Sequence, residues 1–183
     1  MNTLRVTSRQ PHPPAVAFVA RSGTGKTTLV ETLIGEMRRR GYRVGALKHD
    51  AHRFEIDRPG KDSARFTAAG AEVMVLVSDD TVAMVQKPEQ PPRLDRVLRE
   101  WFTDLDLVLV EGYKTSDLPK IEVHRTSLGK TLLCRGEKND PHLLAVASDG
   151  PPDEFTELDV PLLDLENPAA IADFLEESFL KFE

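Results

Sequence analysis

Residues Ser22 to Leu29 read S-G-T-G-K-T-T-L, a spacing suited to holding phosphate. In the pattern G-x-x-x-x-G-K-[ST], glycines let backbone N–H groups approach phosphate oxygens. The lysine reaches the β- and γ-phosphates, and the hydroxyl joins a Mg²⁺ shell. Gly25, Lys26 and Thr27 fit this Walker A pattern, while Ala20 stands where its first glycine is usual. Ser22, Gly23 and Thr24 complete the loop expected around a nucleotide, with Gly23 a second point of close approach, while Thr28 either fills the first helical turn or reaches an α-phosphate. Arg21 holds the second loop position, from which it could act as an arginine finger only across a subunit interface. An ordinary surface arginine is the alternative.

Such a loop needs an acid for Mg²⁺, normally at the carboxyl end of a neighbouring strand. Asp106 enters the apolar run Leu107 to Val110 and Glu111 leaves it, so Glu111 is the candidate and Asp106 is structural. Gly112 follows, where a backbone N–H could sense the γ-phosphate. A base-reading acid is less defined. Asp149 follows the apolar run Leu143 to Ala147, and Asp140 closes Glu137-Lys-Asn-Asp140, an incomplete [NT]-K-x-D motif; both remain candidates. Lys48-His-Asp-Ala-His52 and Asp57-Arg-Pro-Gly-Lys-Asp62 form a charged segment. Lys48, His49 and Lys61 suit a second phosphate-bearing ligand or a partner, and Asp57 and Asp62 could hold metal or water. A solvated loop is the competing reading. His49 and His52 have no neighbouring Cys pair or third histidine, which argues against structural Zn²⁺.

These residues must be positioned by strands and helices. Ala15 to Ala20 reads as a strand buried on both faces, and Leu29, Leu33, Ile34 and Met37 recur at helical spacing up to Gly41. Arg43 to Lys48, Leu107 to Val110, Ile121 to Val123 and Leu143 to Ala147 read as further strands. Val73 to Val77 and Thr81 to Val85 form a candidate hairpin, although no glycine fixes its turn. Helices are expected over Asp62 to Ala69, around Leu94, Val97, Leu98 and Trp101, and after the Asn167-Pro168 cap. The expected architecture is a three-layer α/β domain of the P-loop NTPase type, with a mostly parallel sheet and a small appended β-hairpin. It fills residues 15–183 as a single domain, after a flexible leader over 1–14.

Composition narrows the function. With 24 Lys+Arg against 30 Asp+Glu, the net charge of −6 disfavours nucleic-acid partners. No apolar run approaches the roughly 18 residues of a membrane span. The single cysteine, Cys134, cannot form an internal disulfide, and a cytoplasmic setting is expected.

Together the motifs resemble the molybdopterin-guanine dinucleotide biosynthesis protein B (MobB) family. The resemblance rests on the phosphate loop, K-H-D-A-H at Lys48 to His52, and D-R-P-G-K-D-S at Asp57 to Ser63. It rests equally on L-V-E-G-Y-K at Leu109 to Lys114, P-K-I at Pro119 to Ile121, and A-V-A-S-D at Ala145 to Asp149. It implies a GTP- and Mg²⁺-binding homodimer that assists guanine nucleotide attachment to molybdopterin beside the guanylyltransferase MobA, with at most slow GTP hydrolysis. The family's K-H-x-H-H pattern is replaced here by Lys48-His-Asp-Ala-His52, which weakens a role for the second histidine. Alternatives are a nickel-type metal-delivery GTPase, for which Cys134 lacks a histidine partner, and a small-molecule kinase. The kinase would need an arginine-bearing lid where only Lys114, Lys120 and Arg125 are offered.

Overall fold

A computed structural model of the chain describes residues 12–50, 58, 60–129, 131–135 and 139–181. Most of the leader expected over 1–14 therefore lies outside the described residues. In chain order the elements are β1 (Ala15–Ala20), α1 (Lys26–Arg39), β2 (Val44–Lys48), α2 (Asp62–Ala68), β3 (Val73–Val77) and β4 (Val82–Gln86). They continue with α3 (Leu94–Trp101), β5 (Leu107–Glu111), β6 (Lys120–His124), β7 (Leu143–Ser148), β8 (Leu162–Asp164) and α4 (Pro168–Phe179). They fall into two compact units, one comprising the chain up to His49 and from Leu98 onwards, the other Asp50–Val97.

The first unit is a six-stranded sheet in the order β2-β5-β1-β6-β7-β8, with every neighbouring pair parallel. Parallel pairing brings the carboxyl ends of all six strands to one edge, where α/β proteins bind ligands. The apolar runs of β1 and β5 occupy the middle, which explains why Val16, Phe18, Leu107 and Leu109 are wholly buried. One sheet face is covered by α1 and α4, whose Leu33, Met37, Ile171 and Leu175 complete the core. Arg40 at the end of α1 clasps the two helices together, donating to Asp173 at 2.7 Å and Glu176 at 2.6 Å. Arg40 thus serves helix packing, while Arg38 and Arg39 in the last turn of α1 suit the negative end of its dipole. At α4, Asn167 Oδ1 accepts the Ala170 N–H at 3.2 Å, the cap read from the sequence.

The opposite face of β6 is polar and yet buried. Lys-Ile-Glu-Val-His alternates polar and apolar, a pattern that ordinarily leaves the polar side in water. Here Lys120, Glu122 and His124 are all buried, beneath the segment that follows the strand. Lys120 pairs with Asp140 at 3.0 Å and also donates to the Ser116 carbonyl. Glu122 accepts the N–H groups of Leu133 at 2.6 Å and Cys134 at 2.8 Å. His124 contacts the Gly129 carbonyl at 2.6 Å and the Ser148 hydroxyl at 3.1 Å. Each buried polar group therefore has a partner, as a dry interior demands.

The second unit contains α2 and an antiparallel β3–β4 ladder in which Val75 faces Met84 and Val77 faces Val82. The hairpin is present as expected, but it is a two-stranded sheet of its own and not an extension of the main sheet. Its turn, which lacks glycine, is closed by the Ser78 N–H donating to Thr81 O at 2.8 Å and the Ser78 hydroxyl donating to Asp80 at 2.8 Å. The three-residue β8 and the 3₁₀ turn Thr126–Leu128 were not expected, being too short for a periodic signal. No helix among the described residues is long and apolar enough to cross a membrane.

Glu122→Ala should strip two buried N–H groups of their acceptor, at roughly 1–3 kcal/mol each, for a total loss of about 2–6 kcal/mol. Urea denaturation measures it, and a midpoint unchanged from the parent would refute the anchoring role.

Candidate functional site

The loop between β1 and α1 is shaped by two glycines in the left-handed region, Gly23 at φ 82° and Gly25 at φ 84°. A side chain would strain both positions. Gly25 is the N-cap of α1 and has no side-chain cap, so the first N–H groups of the helix remain available to an anion. The Thr24 hydroxyl turns back to donate to Arg21 O at 3.2 Å, which leaves its backbone to line the loop. Residues Arg21 to Thr27 and Glu111 together enclose a pocket of about 260 Å³.

Glu111 is the point on which this pocket converges. It is the last residue of β5, and strand register sets it beside Phe18 of β1 and Lys48 of β2. The Thr27 hydroxyl donates to its Oε2 at 3.0 Å. Lys26 Nζ lies 3.4 Å and Lys48 Nζ 3.5 Å from its Oε1. Burial works against ionisation, but the Thr27 hydrogen bond and the charges of Lys26 and Lys48 outweigh it and hold the carboxyl below its ordinary range. Gly112 then takes φ 99°, its N–H donating to Phe18 O at 3.0 Å. A Cβ there would come within 3.1 Å of His49 O, so glycine is required by packing as well as by conformation. His49 stacks obliquely on Tyr113, with ring centroids 4.3 Å apart.

Sequence reading expects Ser22 to Thr27 and Glu111 in one group, and the sheet brings them together beside Lys48 and His49; the Gly112 N–H, expected to sense a γ-phosphate, is instead taken by Phe18 O. Thr28 faces outward on α1, its carbonyl accepting from Thr32. Lys61 and Asp62 lie in the second unit at the start of α2, where Asp62 pairs with Arg65 at 3.1 Å. Asp57 and His52 lie outside the described residues. Arg21 reaches the Thr131 carbonyl at 3.4 Å. Asp106 accepts the Arg43 N–H at 2.7 Å at the start of β5, in keeping with a structural role.

The two base-reading candidates part company. Asp140 precedes β7 and is paired with buried Lys120, so it sits at the opposite edge of the sheet from the phosphate loop. Asp149 follows β7 at the carboxyl edge. Its Oδ1 accepts the Thr126 N–H at 2.9 Å and hydroxyl at 3.2 Å, and its Oδ2 faces Arg125 at 3.1 Å. The Thr126 N–H chiefly, then Arg125, holds Asp149 below the usual carboxylate range against the opposing effect of burial. Sequence reasoning weighed Arg125 only as a lid cation. The same rule that found Glu111 would have found it, since it is the first charged residue beyond a central strand.

Hard oxygen donors are present for Mg²⁺ in the Thr27 hydroxyl and the Glu111 carboxylate, a sparse set suited to an ion that shares its shell with phosphate and water. Among the described residues no group of three or more His, Cys, Asp or Glu side chains gathers to hold a metal. Burial, aided by the charge of Glu122, pushes the Cys134 thiol up to about 12, which makes it a poor source of thiolate.

The profile described as "Molybdopterin guanine dinucleotide synthesis protein B" matches residues 15–149, most of the chain. The chain belongs to the MobB family. It is 39% identical over 164 residues to the molybdopterin-guanine dinucleotide biosynthesis adapter protein of Haemophilus influenzae, covering 89% of this chain and 88% of that protein. It is 40% identical over 169 residues to the protein of the same name from Escherichia coli, covering 90% and 92%. The crystal structure of Bacillus subtilis MobB superposes with a TM-score of 0.70 at 25% identity, covering 93% of this chain and 99% of that one. A MobB homologue from Bacillus stearothermophilus gives 0.62 at 26%, covering 90% and 97%. The parallel sheet described above is thus the fold of the family.

Glu111 has a folded-state pKa below its ordinary value of 4.5, so its stabilisation is fully present above that value and is lost as pH falls through the folded one. Glu111→Gln should therefore be less stable than the parent near pH 7, and the difference should shrink as the pH falls below 4.5 and through the lowered folded-state value. Thermal denaturation across this range tests it; a constant difference would show that the carboxylate's charge is not what the site stabilises.

Proposed function

We propose that this chain is a GTP-binding adapter in molybdenum cofactor maturation. In this reading it assists guanine nucleotide attachment to molybdopterin beside a MobA-type guanylyltransferase in the cytoplasm. The observation that carries the reading is the convergence of Lys26 and Thr27 on Glu111 in a pocket walled by loop backbone. Family membership gives that site its context. Lys26 would leave Glu111 for the β- and γ-phosphates, while Thr27 and Glu111 would hold Mg²⁺ directly or through water. Asp149 is the acid that would accept two adjacent N–H donors of guanine.

The chain serves as a switch or carrier more than as a catalyst. Tyr113 follows Glu111-Gly112 where a water-orienting glutamine would be needed, so GTP hydrolysis is slow, on the order of 10⁻⁴ to 10⁻² s⁻¹ as in isolated GTPases. Lys48 and His49, beside Glu111 at the carboxyl edge of the sheet, are the residues of the charged segment that would meet a second ligand or the partner enzyme there.

A homodimer fits the second unit. Val75 is 50% exposed, Val77 70% and Val82 69%, and with Met84 they share one face of the hairpin. An apolar face of this kind on a two-stranded sheet calls for cover.

Lys26→Ala should weaken Mg²⁺-GTP binding by at least about tenfold, the worth of a charge-assisted contact to phosphate, without altering the fold. Calorimetry with GTP and ATP checks both affinity and base preference, and an unchanged GTP affinity would sink the phosphate-loop assignment. Val75→Lys with Val77→Lys should turn a dimer into a monomer in analytical ultracentrifugation; a dimer unaffected by both would place the interface elsewhere.

A further inference from the structure

Arg125 is the first residue after β6 and makes contacts that the nucleotide reading above does not use. Its Nε donates to the Thr24 carbonyl at 3.2 Å, across 101 residues of chain. Its Nη1 lies 3.1 Å from Asp149 Oδ2 and 2.9 Å from Glu166 Oε1. One guanidinium therefore ties the phosphate loop to the carboxyl ends of β7 and β8.

The geometry has two consequences. In a trans peptide the C=O and the following N–H point in opposite directions. Holding the Thr24 carbonyl on Arg125 therefore turns its lone pairs toward a cation and sends the Gly25 N–H the other way. Freed from that bond, the Thr24–Gly25 peptide could rotate about the permissive glycine and present a carbonyl to an anion, which repels it. On the other side, Arg125 and the Thr126 N–H hold Asp149 by both oxygens and so fix the plane of the carboxylate. A carboxylate has about four acceptor positions. Three are taken here, one of them by the rotatable Thr126 hydroxyl, whose departure would leave one position on each oxygen. That pair matches two parallel donors, such as the N1–H and N2–H of guanine.

We infer that Arg125 is a positioning residue that couples the phosphate loop to Asp149, so that triphosphate affinity and guanine discrimination are set by one side chain. This rests on the nucleotide-site reading of Asp149. Planarity is essential to the role, since a lysine is a point charge that cannot reach Thr24 O and Asp149 in the same geometry. Glu166 keeps the guanidinium paired on its open side.

The test is calorimetric, with Mg²⁺ and three probes: GTP, inosine triphosphate, which lacks the N2 donor, and inorganic triphosphate, which lacks a base. Arg125→Ala should lose about tenfold in affinity for inorganic triphosphate and shrink the GTP-to-inosine triphosphate preference about tenfold, the range of a charge-assisted hydrogen bond. Arg125→Lys should recover at most one of the two. A parent protein without preference for GTP over inosine triphosphate would overturn the reading of Asp149 itself. A parent preference that Arg125→Ala leaves intact, or a change in only one of its two readouts, would overturn the coupling alone. Should Arg125→Ala fail to fold, Arg125→Lys decides, because parent values in both readouts would overturn the inference.

Discussion

The parallel pairing of β1 with β5 is the constraint on which the proposed site depends. It aligns Phe18 with Glu111, and the Gly112 N–H is fastened to Phe18 O at 3.0 Å, so the acid arrives beside the loop that β1 feeds into α1. A slip of one residue would exchange the two faces of β5 and remove the carboxylate from Thr27. The slip is prevented by hydrophobic burial, because Leu107 to Val110 are all fully buried and neither face tolerates exchange for the charged residues at either end. A chemical contact between Thr27 and Glu111, 84 residues apart, is thus held in place by the apolar packing of the strand that carries Glu111.

The same edge is supported from the other side by polar interactions. Lys120, Glu122 and His124 are buried on one face of β6 and would be costly there if unpaired. Several of their partners, Gly129, Leu133, Cys134 and Asp140, follow the strand and are fastened to the sheet by hydrogen bonds and an ion pair. Arg125 emerges from this anchored strand next to the phosphate loop, and Arg21 reaches back to Thr131 within the anchored segment. The apolar face of the sheet supplies stability, while the polar face of β6 directs the loops at its carboxyl edge.

The two units differ in how they use apolar residues. In the first, β-branched and leucine residues disappear into the sheet and its covering helices. In the second, a hairpin with similar composition leaves Val77 and Val82 about 70% exposed. Composition alone does not separate these outcomes, since burial depends on how many layers are available to cover a strand.

By itself the sequence determined the phosphate loop, because glycine at positions 23 and 25 and Lys26-Thr27 beyond them act through local backbone geometry. It also determined β1, α1, β5 and α4, whose apolar periodicity and caps are local signals, and it pointed to Glu111 through the rule of the carboxyl edge. Membership of the MobB family was legible too, because its motifs are short and contiguous. Tertiary structure decided what depends on distant neighbours. It alone paired Asp140 with Lys120 at the far edge and gave Asp149, which the sequence already sets after a strand, its partners Arg125 and Thr126. It buried the polar side of β6, which alternation assigns to solvent, and it joined Arg125 to Thr24, Asp149 and Glu166. Short-range patterns record what a residue does to its own backbone; which charge meets which is fixed only when sheet order and register bring the strand ends together.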